Sequence, residues 1–144
     1  MSLICRQLEF DSPEYDASLR LREDVLRKPL GMKLRLQDQR GEQTQLHFGA
    51  FEDGKLIGVI ILVPEDKPNA KLRQMAIAPA QQGKGVGALL LKQVHAFAKA
   101  NGYSTLTLNA RETARAFYAQ NGYAPFGEPF TEVGIPHIAM RITL

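Results

Sequence analysis

Hydrophobic and polar positions alternate along this chain with two different periods. Leu3 to Phe10 reads as a first strand. Ser12 then offers an N-cap oxygen, Pro13 suits a first helical position, and Glu14 and Asp16 favour the positive end of a helix. Leu21 and Val25 lie four apart, and Leu19 and Leu26 seven apart. That spacing predicts an amphipathic helix to about Leu30, ended by Gly31. Met32 to Thr44 is polar and mixed, a loop or a short irregular helix. Gln45 to Glu52 alternates, with Leu46, Phe48 and Ala50 on one face, and Asp53-Gly54 supplies a hairpin turn. Lys55 to Val63 is almost continuously apolar, as in a strand covered on both faces.

Pro64 to Ala70 reads as a loop and Lys71 to Ile77 as a strand, stopped by Pro79. A glycine-rich run, Gln82-Gly83-Lys84-Gly85-Val86-Gly87, leads straight into a helix. Its buried stripe is Val86, Leu89, Leu90, Val94, Phe97 and Ala98, and Asn101-Gly102 ends it. Tyr103 to Asn109 is a short strand, and Thr113 to Gln120 a short helix closed by Asn121-Gly122. The tail from Tyr123 holds two strands, the last with Ile138, Met140 and Ile142 alternating. The order is β-α-β-β-β-α-β-α-β-β. The strand–glycine loop–helix–strand unit joins parallel strands, while hairpins dominate elsewhere. An α/β (α+β) fold follows, a mixed, mostly antiparallel central sheet flanked by helices.

Composition narrows the class. The 144 residues, 44% hydrophobic and 23% charged, suit a single domain spanning 1–144 with one core. A net charge of +3 is too small to argue for a nucleic-acid partner, yet it suits an anionic cofactor. The one cysteine, Cys5, allows no internal disulfide and reads as a structural thiol. Three dispersed histidines and this cysteine lack the spacing of metal ligands, so no metal is expected. No secretory signal is visible, and the longest apolar run, Leu56 to Val63, cannot span a membrane. A cytoplasmic location with no membrane partner is the expectation.

The glycine run carries the chemistry. Free amides at a helix entry attract anions, and glycine lets a phosphate approach the backbone. A P-loop reading loses support, because position 78 is Ala and Gly85 follows Lys84 where a hydroxyl should stand. A dinucleotide reading wants an acidic residue about twenty positions on, yet Ser104 to Asn109 has none.

Gln82-x-x-Gly85-x-Gly87, preceded by Ile77-Ala78-Pro79, matches a third pattern. Downstream stand Ala114-Arg115-Ala116-Phe117-Tyr118 and then Gly122-Tyr123. Together these resemble the GCN5-related N-acetyltransferase (GNAT) superfamily, over residues 71 to 123 in motif and over nearly the whole chain in element order. Asn109-Ala110-Arg111 and Gly134-Ile135-Pro136-His137 look like a small bacterial branch.

The resemblance implies an N-acetyltransferase that moves an acetyl group from acetyl-CoA directly to a primary amine. Gln82, Gly83, Lys84, Gly85, Val86, Gly87 and Ala88 would hold the pyrophosphate of coenzyme A. Met75, Ala76 and Ile77, where the strand should splay from the next, would pair with the pantetheine arm. Asn109 would hold the pantetheine or a water, and Tyr118 would be general acid on the leaving thiolate. Arg111 replaces an asparagine common in relatives; it could meet a phosphate or an acidic substrate, or form a surface ion pair. For the general base the candidates are His47, Glu128, Glu132 and His137, with His137 favoured. The acceptor would be a small-molecule or peptide amine, and a homodimer is a family habit. The alternative is a non-catalytic acyl-CoA-binding or regulatory module with the same fold.

Overall fold

Ser12 caps the first helix as expected, its Oγ accepting from the Tyr15 N–H at 3.2 Å. The computed structural model describes residues 3–144. Its elements are β1 (Leu3–Leu8), α1 (Pro13–Arg22), β2 (Leu46–Glu52), β3 (Lys55–Pro64), β4 (Asn69–Ile77), α2 (Val86–Ala100), β5 (Thr105–Arg111), α3 (Arg115–Gln120), β6 (Ala124–Pro125), β7 (Phe130–Glu132) and β8 (Ile135–Thr143). One sheet runs β1-β2-β3-β4-β5-β8-β6, with β7 added beside β8. Among the described residues, only β4 and β5 pair in parallel. The fold is therefore the mixed, mostly antiparallel sheet flanked by helices that the pattern predicts.

Two cores sit on opposite faces of the sheet. Under α2 lie Phe48, Ile60, Leu62, Leu106 and Met140, with Val86, Leu90, Leu91, Val94 and Ala98 from the helix. Leu91 takes a place that the predicted stripe gave to Leu89 and Phe97, which are half-buried. Each such buried leucine stabilises the fold by about 1.5–3 kcal/mol. On the other face Leu8, Phe51, Val59 and Ala76 pack against Leu21, Val25 and Leu26. Strand β2 is thus covered on both faces, not one. At Gly49 an added Cβ would stand 2.7 Å from Leu56 Cδ1 and 3.0 Å from Leu8 Cδ2, so this position must stay bare for β1 and β3 to close.

Three other expectations are corrected. The first helix leaves the α form at Arg22 and continues as a π turn over Glu23–Arg27 and a 3-10 turn over Lys28–Leu30, with Gly31 at φ 70°. Pro29 lacks the N–H that an α ladder needs. The Leu26 carbonyl, freed from that ladder, accepts instead from Arg27 and Arg111. The tail holds three strands, because Val133 and Gly134, at φ 46° and 77°, form a tight hairpin turn between β7 and β8. A valine at positive φ hides that turn from a sequence reading. Finally, β4 begins at Asn69 and β5 at Thr105, each two residues from the predicted start.

The stripe of α1 facing the sheet is polar: Tyr15, Ser18 and Arg22. It closes over Glu42, which is 0% exposed. This carboxylate accepts from Tyr15 Oη at 2.7 Å, Arg22 Nη1 at 2.9 Å and Arg73 Nη1 at 2.7 Å. Arg22 Nε also donates to Gln74 Oε1 at 2.8 Å. Glu42 thereby fastens α1 to β4, the strand that borders the site.

Candidate functional site

Strands β4 and β5 pair only over Asn69–Lys71 and Thr105–Thr107. Beyond that they part, so β4 has no strand partner on this side up to Ile77. On its other side the register with β3 slips between Val59 and Ile61, placing Gln74 and Met75 opposite Ile60. Gln74 takes φ 55° at this bulge, a costly conformation for a non-glycine residue that the Arg22 bond holds in place. The parted strands enclose a cleft of about 640 Å³. Unpaired backbone groups along its wall need partners, and an extended ligand would supply them.

The glycine run lies at one end of β4. Gly83 and Gly85 sit at φ 77° and 86°, and nothing approaches within 4 Å of where their Cβ atoms would be. The first backbone bond into α2 is Leu89 N–H to the Gly85 carbonyl at 3.0 Å. Among the described residues, the amides from Gly83 to Ala88 have no backbone partner. Free N–H groups with open space at Gly83 and Gly85, at the positive end of a 15-residue helix, suit a polyanion such as a pyrophosphate. Gly87 differs from its neighbours. Its Cβ would lie 3.0 Å from Phe117 Cζ and 3.6 Å from Met75 Sδ, so it keeps α3 close to α2. Gln82 turns its amide onto the Ile77 carbonyl at 3.0 Å, shaping the loop from outside, and Val86 sends its side chain into the core.

Tyr118 borders the cleft from α3. Its hydroxyl points at Met75 Sδ, 3.9 Å away. Burial pushes the phenol up to about 12, against the pull of the Arg111 charge. Asn109 lines the cleft from β5, and among the described residues its side-chain amide has no protein partner. Cross-strand neighbours Arg111 and His137 complete this end of the wall. His137 is 3% exposed, stacked on Phe130 at 5.8 Å between ring centroids. Its Nδ1 lies 2.9 Å from the Ile135 carbonyl. A carbonyl only accepts, so Nδ1 carries the hydrogen, and Nε2 faces Glu132 Oε2 at 3.5 Å.

The same fold recurs elsewhere. Residues 28–144 match the family model described as Acetyltransferase (GNAT) domain. The chain belongs to this GNAT family. It is accordingly an acyltransferase. A Bacillus subtilis protein named uncharacterized N-acetyltransferase YitI is 27% identical over 144 residues, 95% of this chain and 97% of that one. Escherichia coli ElaA has the same fold at TM-score 0.84 and 21% identity, over 98% of this chain and 99% of its own. A GNAT family acetyltransferase from Elizabethkingia anophelis, solved with acetyl-CoA bound, gives TM-score 0.76 at 23% identity over 99% and 98%.

In this GNAT chain the cleft brings together Met75, Asn109, Arg111, Tyr118, Glu132 and His137. Ala76 is buried on the opposite face, Ile77 packs against the α2 core, and neither lines the cleft. His47 does not line it. That imidazole is buried against Tyr15, holds Nε2 2.8 Å from the Glu42 carbonyl, and has its pKa lowered by burial. Glu128 is exposed on the loop before β7. The Cys5 thiol packs against the core and is likewise pushed up by burial. The sequence reading missed Arg27, Asp38 and Arg73, which also border the cleft. Nothing in their spacing marks them, since Arg27 sits in a stretch that reads as helix, Asp38 in one that reads as irregular and Arg73 in an ordinary strand. Among the described residues no His, Cys, Asp or Glu group could hold a metal ion, and no helix is long and apolar enough to cross a membrane.

Proposed function

We propose that this chain is an acetyl-CoA-dependent N-acetyltransferase that passes an acetyl group directly to a primary amine. The carrying observation is the junction of three features: the parting of β4 from β5, the free amides of Gly83 to Ala88 at its end, and Tyr118 at its wall. Acetyl-CoA supplies the activated thioester. The loop amides hold its pyrophosphate, and the open edge of β4 at Met75 to Ile77 receives the pantetheine as an added strand. A backbone N–H there donates to the thioester carbonyl as negative charge builds on its oxygen.

His137 serves as general base. In its neutral form the imidazole accepts a proton at Nε2 from the attacking amine, and Glu132 stabilises the imidazolium that results. Tyr118 meets the departing sulfur. A phenol at about 12 keeps its proton at every working pH. Full transfer to a thiolate with a pKa of about 8.5 is uphill, so donation of a hydrogen bond carries most of its effect.

The test is calorimetry with acetyl-CoA, coenzyme A, ATP and NAD, paired with an acetyl-CoA consumption assay over amines, amino acids, aminoglycosides and peptides. Binding of both coenzyme A forms and turnover of some amine are expected. Binding of ATP or NAD without coenzyme A would overturn the reading. Tight acetyl-CoA binding with no turnover would favour a regulatory module.

A further inference from the structure

We infer that the acceptor amine carries a second, anionic group, a carboxylate or a phosphate, and that Arg27 and Arg111 grip it. This rests on the acyl-transfer reading above and names the class of its acceptor. Both guanidinium groups converge on one atom: Arg27 Nη1 donates to the Leu26 carbonyl at 3.2 Å and Arg111 Nη2 at 2.8 Å. Two like charges held on a single neutral acceptor repel each other, and an anion between them would relieve that repulsion. Burial lowers the Arg111 pKa and the nearby Arg27 charge adds to that, outweighing the opposing pull of Glu132 and Tyr118.

Local carboxylates fill the gap only in part. Asp38 Oδ1 pairs with Arg27 Nη2 at 3.5 Å, while its other oxygen is 3.8 Å from Arg35 Nε, and among the described residues no carboxylate lies within ion-pair distance of Arg111. Glu132 is half-exposed at the rim beside His137. Glu42 is enclosed by Arg22, Arg73 and Tyr15. With Arg73 matched by Glu42, the cleft wall carries Arg27, Arg35, Lys71 and Arg111 against Asp38 and Glu132, four cations to two anions.

A second observation points the same way. Arg27 is 7% exposed, yet among the described residues its Nε has no hydrogen-bond partner. A buried guanidinium donor without a partner is costly, and this side chain lines the cleft. Nε and an Nη of one arginine form the fork that matches two oxygens of a carboxylate or phosphate. The arrangement opposes polycationic acceptors, whose charges would meet Arg27 and Arg111.

The experiment compares kcat/KM for acetyl transfer to glycine, β-alanine and 3-aminopropylphosphonate with that for the methyl esters or amides of the same amines, and for spermidine. The anionic members should exceed their neutral partners by about tenfold or more, the size of one lost charge-assisted contact. The phosphonate against the two amino acids decides between phosphate and carboxylate. Arg111→Gln and Arg27→Lys should each raise KM for the preferred anionic amine by about tenfold while the Kd for acetyl-CoA, read by calorimetry, stays put. Thermal melts check that each variant folds, and Arg111→Gln serves alone if Arg27→Lys does not. Equal or better use of esters, amides or spermidine overturns the inference. So does acetyl-CoA binding with no amine of this set consumed, or a loss in the variants confined to acetyl-CoA affinity. Failure to bind acetyl-CoA at all overturns the acyl-transfer reading beneath it.

Discussion

The Tyr118 hydroxyl faces the Met75 sulfur at 3.9 Å across the gap between α3 and β4. A thioether is a weak acceptor, so this hydroxyl stands in a largely enclosed place without a strong partner. It is positioned to donate to whatever sulfur enters beside β4. Tyr118→Phe should lower kcat by about 10²-fold and leave acetyl-CoA affinity within about twofold. Because burial holds the phenol near 12, Tyr118 should add no alkaline limb to the rate profile below pH 10. Steady-state kinetics and calorimetry on the two proteins check this, and equal turnover would remove Tyr118 from the chemistry.

The glycines of the loop should separate by function. Gly85 is at φ 86° with open space where its Cβ would go. A valine there strains the backbone and stands before the amides, so the acetyl-CoA Kd should rise by about tenfold or more. Gly87→Val should act through Phe117, 3.0 Å from the new Cβ. Displacing α3 moves Tyr118, so kcat and melting temperature should fall more than affinity does. Calorimetry, kinetics and thermal melts on both variants tell the two patterns apart.

Much of this was legible in the sequence, and for physical reasons. Ser12-Pro13, Asp53-Gly54 and the run at Gly83 to Gly87 are local chemistry, and local chemistry survives into the fold. Tyr118, Asn109 and His137 do line one cleft with Met75. The rest depended on partners distant in sequence. Tyr15, Ser18 and Arg22 form the buried face of α1 because Glu42 waits beneath them, and a search for apolar periodicity cannot see such a face. Arg27 lines the cleft from the end of a π turn that the spacing reads as α-helix. The three-residue strand β7 hides behind a valine at positive φ.

His137 offers a sharper chemical test. Its Nδ1 hydrogen is held by the Ile135 carbonyl and its Nε2 faces Glu132. His137→Ala should lower kcat by about 10²-fold, and added imidazole should restore part of it by filling the gap beneath Phe130. Glu132→Gln should cost less, since it acts on the imidazolium and not on the amine. Unchanged turnover in His137→Ala would return the proton transfer to solvent.

The buried carboxylate of Glu42 should govern acid stability. Burial alone would raise its pKa, but the Arg22 bonds and charge, with help from Tyr15 and Arg73, outweigh burial and bring it below its ordinary 4.5. A carboxylate depressed in the folded state stabilises the protein above the unfolded value, and that stability drains away as pH falls through 4.5 toward the folded pKa. Melting temperature should therefore drop steeply on the acid side of 4.5. Glu42→Gln removes the charge and leaves Arg22, 1% exposed, without its counter-ion. Stability at pH 7 should fall by about 3–5 kcal/mol, and the slope of stability against pH in the acid range should flatten. Urea unfolding at pH 7 and pH 4 on both proteins measures each effect. A variant as stable as the parent, with the same acid slope, would show that α1 is held to β4 by packing alone.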